Sequence, residues 1–302
     1  MAVPARSKVV ALPARRSPLR AALVSLRPRQ WSKNLLLFAG ILFAGKLGDP
    51  VRWLEAVAGF CAYCAASSAA YLQNDVRDAQ QDRAHPVKRS RPIARGELST
   101  RAALMLAFVL ALVAFVLVVP LGAWSVLLLA VFAVLQLAYT LGLKLVALID
   151  IGVIAGLFAV RAAAGAVAID VPVSPWLVAC TLLLALFLAL GKRRAELVLV
   201  EARAAPGRPA LDRYSLPLVD QLLTVTAAAT VATYILYTIV GRDTREMMVT
   251  IPFAVFGVFR YLALVHNRQL GEEPEEVLLG DKPIIVAVTL WALTAAVVPA
   301  VV

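Results

Sequence analysis

Long apolar runs alternate with short polar segments along nearly the whole chain. Each run has roughly 17–23 residues, which is the length that an α-helix needs to cross the hydrocarbon core of a bilayer. The runs lie at about 31–47, 52–73, 102–120, 123–140, 147–168, 174–191, 217–240, 247–266 and 284–302. The pattern therefore predicts an all-α integral membrane protein with nine transmembrane helices.

The composition indicates that the bilayer is the solvent. Hydrophobic residues make up 61% of the chain and charged residues 16%, whereas about half of a soluble domain is apolar and about a quarter is charged. Residues 1–16 are basic and contain Pro4 and Pro13, which predicts a disordered tail before a single transmembrane domain at 17–302. At the start of that domain, Ser17 followed by Pro18 is typical of a helix N-cap with proline at the first helical position.

The distribution of positive charge predicts the orientation. Cytoplasmic loops carry an excess of lysine and arginine, and 24 of the 30 such residues lie on one side if there are nine spans. The five segments that hold them are 1–33, 74–101, 141–146, 192–216 and 267–283. We therefore expect a cytoplasmic N-terminus in an inner or plasma membrane. The net charge of +11 also occurs in nucleic-acid-binding proteins, but basic residues beside membrane spans bind anionic lipid, so no nucleic-acid partner is predicted.

The most informative polar segment is NDVRDAQQD, residues 74–82, at the cytoplasmic end of the second predicted span. If the helix continues, Asp75, Asp78 and Asp82 lie within about 60° of one another around its axis. Three carboxylates on one face repel each other, and Mg²⁺ binds carboxylate and phosphate oxygens together. The spacing therefore favours a magnesium site with Asn74 beside it; the alternative is a solvated helix end at the membrane surface.

A basic segment, HPVKRSRPIARG, follows at residues 85–96. It contains Lys88 and Arg91, and its prolines keep part of it extended. Arginine and lysine bind phosphate oxygens, so cations next to metal-binding carboxylates indicate a diphosphate site. Without the aspartates, the segment would suit an ordinary positive flank of a membrane span equally well.

Charged residues also occur inside the apolar runs or at their ends. Lys144 follows Tyr139 near the end of the fourth predicted span, and Arg161 lies in the middle of the fifth. A charge within the membrane is costly and usually serves a cavity. Asp150 and Arg161 are about three helical turns apart, so both can face one cleft; an ion pair to another helix is the alternative.

These segments resemble a known family. The stretches NDVRDAQQD and HPVKRSRPIARGELS are similar to the first aspartate motif of the UbiA superfamily of intramembrane prenyltransferases, and RPRQWSKN, residues 27–34, resembles the same superfamily. The resemblance extends from about Arg27 to the last predicted helix. It implies nine transmembrane helices around a central cytoplasm-facing cavity, and a Mg²⁺-dependent enzyme whose catalytic domain is 17–302. Asp75, Asp78 and Asn74 are then expected to be catalytic, with metal on Asp75, Asp78 and Asp82.

Further stretches narrow the resemblance to one branch of the superfamily. They are YLQNDVRDAQQDRAHPVKRSRPIA, LQLAYTLGLK, GKRRAEL and GEEPE. That branch transfers 5-phosphoribose from phosphoribosyl pyrophosphate (PRPP) to decaprenyl phosphate, a polyprenyl phosphate, and releases pyrophosphate in cell-wall arabinan precursor synthesis. The resemblance thus implies PRPP, a polyprenyl phosphate and membrane lipid as partners of this chain.

The segment after the sixth predicted span separates this branch from ordinary prenyltransferases. Those enzymes carry a second aspartate-rich motif there, whereas this chain reads GKRRAE at residues 191–196 and lacks a DxxxD. This segment has three cations beside one carboxylate, Glu196. Such a set suits substrates that carry more phosphate groups than a prenyl diphosphate does. Glu196 is the remaining candidate for a second-motif carboxylate. The expected phosphate-binding residues are Lys33, Lys88, Arg91, Tyr139, Lys144, Arg161, Lys192 and Arg193.

Two other functions remain open. A prenyltransferase could move a prenyl group from prenyl diphosphate to an aromatic acceptor, although the missing DxxxD argues against it. A transporter or channel would also contain intramembrane charges, but paired repeats and broken midplane helices are typical of transporters, and neither is clear in the sequence. The sequence is also compatible with a homo-oligomer.

Overall fold

A computed structural model describes residues 15–84, 88–201, 209–241, 245–267 and 274–301, so residues 1–14 of the predicted tail lie outside it. All regular secondary structure in these ranges is helical. The α-helices are α1 (Pro18–Ser25), α2 (Ala39–Phe43), α3 (Pro50–Arg77), α4 (Ala79–Ala84), α5 (Thr100–Val118), α6 (Ala123–Leu141), α7 (Ile149–Ala168), α8 (Pro175–Glu201), α9 (Leu216–Val240), α10 (Ile251–Asn267), α11 (Pro274–Gly280) and α12 (Lys282–Val301).

Short polar residues fix the beginnings of several helices. Ser17 caps α1, whose first residue is Pro18, as the sequence predicts. Asp49, Ser99 and Ser215 cap α3, α5 and α9 by accepting hydrogen bonds from backbone N–H groups of the first turn. Each cap satisfies donors that the start of a helix leaves without an intrahelical partner.

Six helical segments in the described ranges are long and apolar enough to cross a membrane, and the chain is a multi-pass membrane protein. They are Thr100–Leu121, Ala123–Leu141, Ile149–Ala168, Pro175–Glu201, Leu216–Val240 and Glu246–Asn267, and each coincides with a predicted span. α12 contributes a shorter apolar helix. α3 is 28 residues long, but both of its ends carry charged residues. The count of nine membrane-spanning helices therefore stays a prediction.

The first predicted span, 31–47, is not a regular α-helix. Its residues form an 11-residue 3₁₀-helix, Pro28–Phe38, followed by the short α2. A 3₁₀-helix longer than about four residues is uncommon, because its hydrogen-bond geometry is poorer than that of an α-helix. Hydrophobic periodicity cannot reveal this difference, since both helix types bury an apolar stripe.

Two glycines let the end of this 3₁₀-helix and α2 approach α7 closely. A Cβ on Gly165 would lie 2.1 Å from the carbonyl oxygen of Leu37, and a Cβ on Gly40 would lie 2.9 Å from the backbone of Ala166. Neither position has space for a larger residue, because the obstacle in each case is backbone. The 3₁₀-helix is therefore packed tightly against a candidate membrane span.

The polar site lies at one end of the helix bundle. Its residues come from four places: the end of α3, the segment after α6, the start of α7 and the later turns of α8. Hydrophobic clusters fill the bundle beyond it: one contains Phe187, Leu223 and Tyr261, and another contains Tyr63 and Phe132. The bundle thus supports the charged residues from one side.

The described end of the predicted tail is anchored. Nη1 of Arg16 lies 2.9 Å from Oε2 of Glu97 and 3.2 Å from the carbonyl oxygen of Ser90. These contacts tie the start of α1 to the basic segment that follows α4. The boundary between tail and membrane domain stays a prediction.

Candidate active site

One arginine joins Asp75 and Asp82. Nη1 of Arg91 donates to Oδ1 of Asp75 at 3.1 Å and to Oδ2 of Asp82 at 2.7 Å. The side chains of the two aspartates are only 2% and 5% exposed. The helix does not continue through the motif, because α3 ends at Arg77 and α4 starts at Ala79. A turn in the chain, held by Arg91, therefore brings the two carboxylates together.

A second cation binds Asp75 from a distant part of the sequence. Nη2 of Arg27 lies 2.5 Å from Oδ1 of Asp75, and the guanidinium packs over the ring of Tyr71, 5.0 Å from its centroid. Arg27 has a φ of 53°, in the left-handed region that non-glycine residues seldom occupy. The turn before the 3₁₀-helix is thus shaped so that Arg27 reaches the aspartate.

Hydrogen bonds to α3 hold this turn in place. Nε1 of Trp31 donates to Oγ of Ser68 at 3.0 Å, and that hydroxyl donates to the carbonyl oxygen of Leu26 at 2.9 Å. Ser68 lies two turns before Asp75 on α3. The same helix therefore carries the aspartate and fixes the segment that delivers Arg27.

Lys144 reaches the motif from the segment after α6. Its Nζ lies 3.1 Å from Oδ2 of Asp78 and 3.4 Å from Oδ1 of Asn74. The side chains of Lys144 and Asp78 are 19% and 22% exposed, so this pair is more accessible than Asp75. Six residues of the predicted site come together at this point: Asn74, Asp75, Asp78, Asp82, Arg91 and Lys144.

The donor set fits magnesium together with a phosphate ligand. Within the described residues, no three Asp, Glu, His or Cys side chains lie close enough to hold a metal ion. Each aspartate of the motif instead has a cationic partner. Mg²⁺ commonly uses one or two carboxylates, with waters and substrate phosphate oxygens completing its coordination. Asp75 and Asp78 supply such hard oxygen ligands, so the residues suit a metal–diphosphate complex better than the bare ion.

Arg193 is the centre of a second, buried charge network. It is 1% exposed, and its Nε and Nη1 lie 2.6 Å from Oδ2 of Asp150 and 2.5 Å from Oε2 of Glu196. The hydroxyl of Tyr214 donates to Oδ1 of Asp150 at 2.8 Å and accepts from the N–H of Leu148 at 2.7 Å. Burial raises the pKa of Tyr214 to about 12, and the Asp150 carboxylate acts in the same direction. The phenol therefore keeps its proton, and the network braces α7, α8 and the segment before α9.

This network resolves one of the alternatives in the sequence. Asp150 forms an ion pair with another helix, through Arg193 of α8, and a hydrogen bond with Tyr214, whereas Arg161 donates to Asn34 and Leu157. Glu196 is engaged by Arg193 as well. Asp150 and Arg161 of α7 thus do not face one cleft, because their side chains point toward different neighbouring elements.

Arg161 lies in the bundle beside the 3₁₀-helix and is 3% exposed. Its Nε donates to Oδ1 of Asn34 at 2.8 Å, and its Nη1 donates to the carbonyl oxygen of Leu157 at 3.1 Å. The guanidinium also packs over the rings of Phe132 and Phe158, 4.6 and 5.3 Å from their centroids. Its contacts in the described part of the chain include no carboxylate. The Asn34 amide, the Leu157 carbonyl group and the faces of the two phenylalanine rings therefore stabilise its charge.

The remaining predicted phosphate ligands lie in segments that flank the motif. Lys33, Lys88 and Lys192 are half-buried. Tyr139 of α6 interacts electrostatically with Arg193 of α8, which places it near the second network. Contact between these side chains and phosphate stays a prediction.

Sequence reasoning assigned no site role to three residues that the structure connects to the predicted ones: Arg27, Asn34 and Tyr214. The first two begin and end the segment RPRQWSKN, so its resemblance could have marked them. Tyr214 had no comparable signal, because its bond to Asp150 joins residues 64 positions apart and arises only from tertiary packing.

Comparisons with known proteins identify the family of the chain. The profile of the UbiA prenyltransferase family matches residues 35–269. The chain is 37% identical over 283 residues to decaprenyl-phosphate phosphoribosyltransferase of Mycolicibacterium smegmatis, covering 88% of each protein. It is 34% identical over 280 residues to the protein of the same name from Corynebacterium glutamicum, covering 88% of this chain and 83% of the relative.

The fold is shared with a solved structure. A UbiA homologue from Archaeoglobus fulgidus bound to GPP and Mg²⁺ has a TM-score of 0.72 and 17% sequence identity, and the match covers 91% of this chain and 98% of that one. The profile match and the two relatives lead to one assignment. The chain belongs to the UbiA prenyltransferase family.

Proposed function

We propose that the chain transfers 5-phosphoribose from PRPP to decaprenyl phosphate, or a similar polyprenyl phosphate, and releases pyrophosphate. The names of the relatives support this, since the similarity extends over most of each chain. The observation that carries the proposal is the pairing of the aspartate motif with Arg27, Arg91 and Lys144. A magnesium diphosphate offers the complementary charges, anionic oxygens for the cations and a cation for the carboxylates.

An exchange of ion pairs lets this substrate enter. Removing one partner of a buried ion pair costs about 3–5 kcal/mol, because it leaves a charge without compensation. In the proposed complex, Arg27, Arg91 and Lys144 would bind phosphate oxygens, and the aspartates would hold the metal. Every charged side chain would then still have a partner of opposite charge. The ion pairs of the free site therefore do not prevent the substrate from binding.

Asp75, Asp78 and Asp82 would hold Mg²⁺, with Asn74 orienting the diphosphate. Bound there, Mg²⁺ neutralises charge on the diphosphate and makes pyrophosphate a better leaving group. The arginines and Lys144 retain the departing pyrophosphate. The carboxylates stabilise positive charge that develops at C1 of the ribose.

The transfer needs no redox partner. The bond between C1 and the pyrophosphate oxygen breaks, and its electron pair leaves with pyrophosphate. An oxygen of the acceptor phosphate forms the new bond to C1. Because the acceptor is already an anion, the site needs no strong general base, and attack from the face opposite the leaving group inverts the anomeric centre.

The second network supports this reaction over ordinary prenyl transfer. Arg193 and Glu196 occupy the place of the second aspartate motif, and they are paired with each other and with Asp150. A second carboxylate pair for metal is thus missing from residues 191–196, which the structure describes. In the proposal Lys192 and Lys33 neutralise substrate phosphates, while Arg193 positions α8 against α7.

The architecture proposed for this function has nine membrane-spanning helices around a central cytoplasm-facing cavity. The N-terminus lies in the cytoplasm of a cell whose inner or plasma membrane holds the enzyme, and the product feeds cell-wall arabinan synthesis. A polyprenyl tail leaves the bilayer at a cost of about 0.8 kcal/mol per CH₂, so the acceptor must enter sideways from the lipid.

A transfer assay tests the proposal. Purified protein in detergent receives Mg²⁺, ribose-labelled PRPP and decaprenyl phosphate, and a parallel tube receives geranylgeranyl diphosphate with an aromatic acid. We expect label in the lipid fraction that disappears with EDTA. Prenylated aromatic product in the parallel tube, without labelled lipid in the first, would instead assign the chain to ordinary prenyl transfer.

A further inference from the structure

A narrow cleft between α3, α5 and α6 opens beside the aspartate motif. Its volume is about 140 Å³, and alanines from the three helices form half of its lining, among them Ala66, Ala111 and Ala133. Leu129 and Phe132 also line it. Alanine side chains keep these helices from filling the space between them, so the cleft offers an apolar slot at the side of the bundle.

The end of the cleft nearest the aspartate motif is polar. Gln73 of α3 and Gln136 and Thr140 of α6 line it, and none of the three side chains has a hydrogen-bond partner within the part of the chain that the structure describes. Gln73 is exposed, and Gln136 and Thr140 are half-buried, so all three side chains can form hydrogen bonds with a ligand that enters the cleft. A ligand with a polar end would satisfy these groups.

The depth of these polar groups matches a lipid headgroup. α3 ends at Arg77 and α6 ends at Leu141, so all three polar side chains lie within about 8 Å of a helix end. Arg77 is exposed and is one turn beyond Gln73 on the same face of α3. Its Nη2 donates to the carbonyl oxygen of Leu141 at 3.3 Å. The lining therefore changes from apolar to polar toward the helix ends, and Arg77 lies one turn beyond Gln73.

We propose that this cleft binds the head of the acceptor lipid, a polyprenyl phosphate. Its first isoprene units lie against the alanines, and its phosphate receives hydrogen bonds from Gln73, Gln136 and Arg77. The inference rests on the proposed function for the identity of the lipid. A slot of this size between three helices suits one chain, which favours a polyprenyl phosphate over a two-chain phospholipid.

The position of the cleft gives this lipid access to the reaction. Gln73 is followed directly by Asn74, and Thr140 is four residues before Lys144. Both Asn74 and Lys144 belong to the ion-paired site. A phosphate bound at the polar end of the cleft would lie on the Asn74 and Lys144 side of the ion-paired site, since Asp75 faces the opposite side of α3, and the tail remains in the bilayer.

A pair of matched substitutions on α6 tests the cleft. Ala133 and Ala130 are both exposed, but only Ala133 lines the cleft. Equilibrium binding of radiolabelled decaprenyl phosphate is measured on the full chain in nanodiscs. We expect Ala133→Trp to raise the Kd about tenfold by filling the slot, and Ala130→Trp to leave the Kd unchanged. Equal affinity of both variants and the unsubstituted protein would overturn the proposal.

The headgroup contact has its own test. Arg77→Gln is expected to weaken binding of decaprenyl phosphate about tenfold and to leave binding of the uncharged polyprenol unchanged. Phosphatidylglycerol and inorganic phosphate serve as competitors. Displacement by phosphatidylglycerol at the same concentration as decaprenyl phosphate would contradict the assigned occupant. Because binding is measured without PRPP, loss of the proposed transfer reaction and loss of the lipid site give different results.

Discussion

Nζ of Lys144 lies 3.1 Å from Oδ2 of Asp78 and joins the segment after α6 to the end of α3. This lysine forms an ion pair with a carboxylate that the proposed metal also needs. The metal and Lys144 would therefore compete for Asp78 when no substrate is present. PRPP changes the balance, because its phosphates offer Lys144 another anionic partner. Divalent metal and PRPP are therefore expected to bind cooperatively.

Lys144→Met tests this competition. We expect its affinity for Mn²⁺ without PRPP to rise about tenfold, since the carboxylate is released, and kcat/KM for PRPP to fall because a phosphate ligand is lost. Electron paramagnetic resonance titration of Mn²⁺ measures the first effect independently of activity. Lys282→Met removes an exposed lysine at the start of α12 and is the control. Unchanged Mn²⁺ affinity in Lys144→Met would show that the lysine does not compete with metal.

Arg91→Lys tests the bridge between the two buried carboxylates. One guanidinium nitrogen serves both Asp75 and Asp82, and lysine cannot reproduce the planar set of donors. We expect the KM for PRPP to rise about tenfold or more, equivalent to losing a charged hydrogen bond of about 1.5–3 kcal/mol. Arg101→Lys, at an exposed position on α5, is the matched control and should keep the original KM. A KM in Arg91→Lys equal to that of the control would contradict the bridging role.

Arg161→Met separates stability from positioning. The buried guanidinium lacks a carboxylate partner among the described residues, so no ion pair offsets the cost of burying its charge. We therefore expect the Tm in detergent to stay the same or rise. Turnover should fall about tenfold or more, because Asn34 no longer holds the 3₁₀-helix that follows Arg27. A large fall in Tm would show instead that Arg161 serves stability.

Tyr214→Phe should change the pH dependence of stability. The pKa of Tyr214 rises from about 10 in an unfolded chain to about 12 in the fold. Protonated Tyr214 therefore stabilises the fold fully below pH 10, and this contribution is lost as the pH rises through 12. The variant should be less stable at pH 7 by about 1.5–3 kcal/mol, the value of a hydrogen bond to a charged group.

Thermal unfolding in detergent at pH 7 and at pH 11 measures this effect. The difference in Tm between the original chain and Tyr214→Phe should be smaller at pH 11. A constant difference would mean that the phenol hydrogen bond to Asp150 does not contribute as the geometry indicates.

Local sequence patterns predicted much of the fold, because membrane spans depend mainly on apolar length. Six predicted spans coincide with long apolar helices, and Ser17 with Pro18 predicted the start of α1. The 3₁₀-helix at Pro28–Phe38 was not predicted, since hydrophobic periodicity does not distinguish it from an α-helix. Glycines of α7 and α2 let the backbone of this segment approach α7 closely. That contact joins residues far apart in the sequence.

The candidate site was predictable where its residues lie close together in sequence. Asp75, Asp78 and Asp82 share one motif, and Arg91 follows within the next segment. The partners of Asp150 and Arg161 were not predictable, because helical periodicity gives only the direction of a side chain around the helix axis and not the residue that it meets. The structure turns Asp150 toward Arg193 and Arg161 toward Asn34, and this choice depends on which helices pack next to α7.

The most direct test of the central claim is magnesium-dependent phosphoribosyl transfer by the double variant Asp75→Asn, Asp78→Asn. The amides keep the size of the side chains but lose the charge that would hold the metal. The proposed site predicts a loss of turnover of about a thousandfold or more, equivalent to about 4 kcal/mol of transition-state stabilisation, while decaprenyl phosphate still binds. Full magnesium-dependent turnover in this variant would contradict the assignment of the aspartate motif as the metal–diphosphate site.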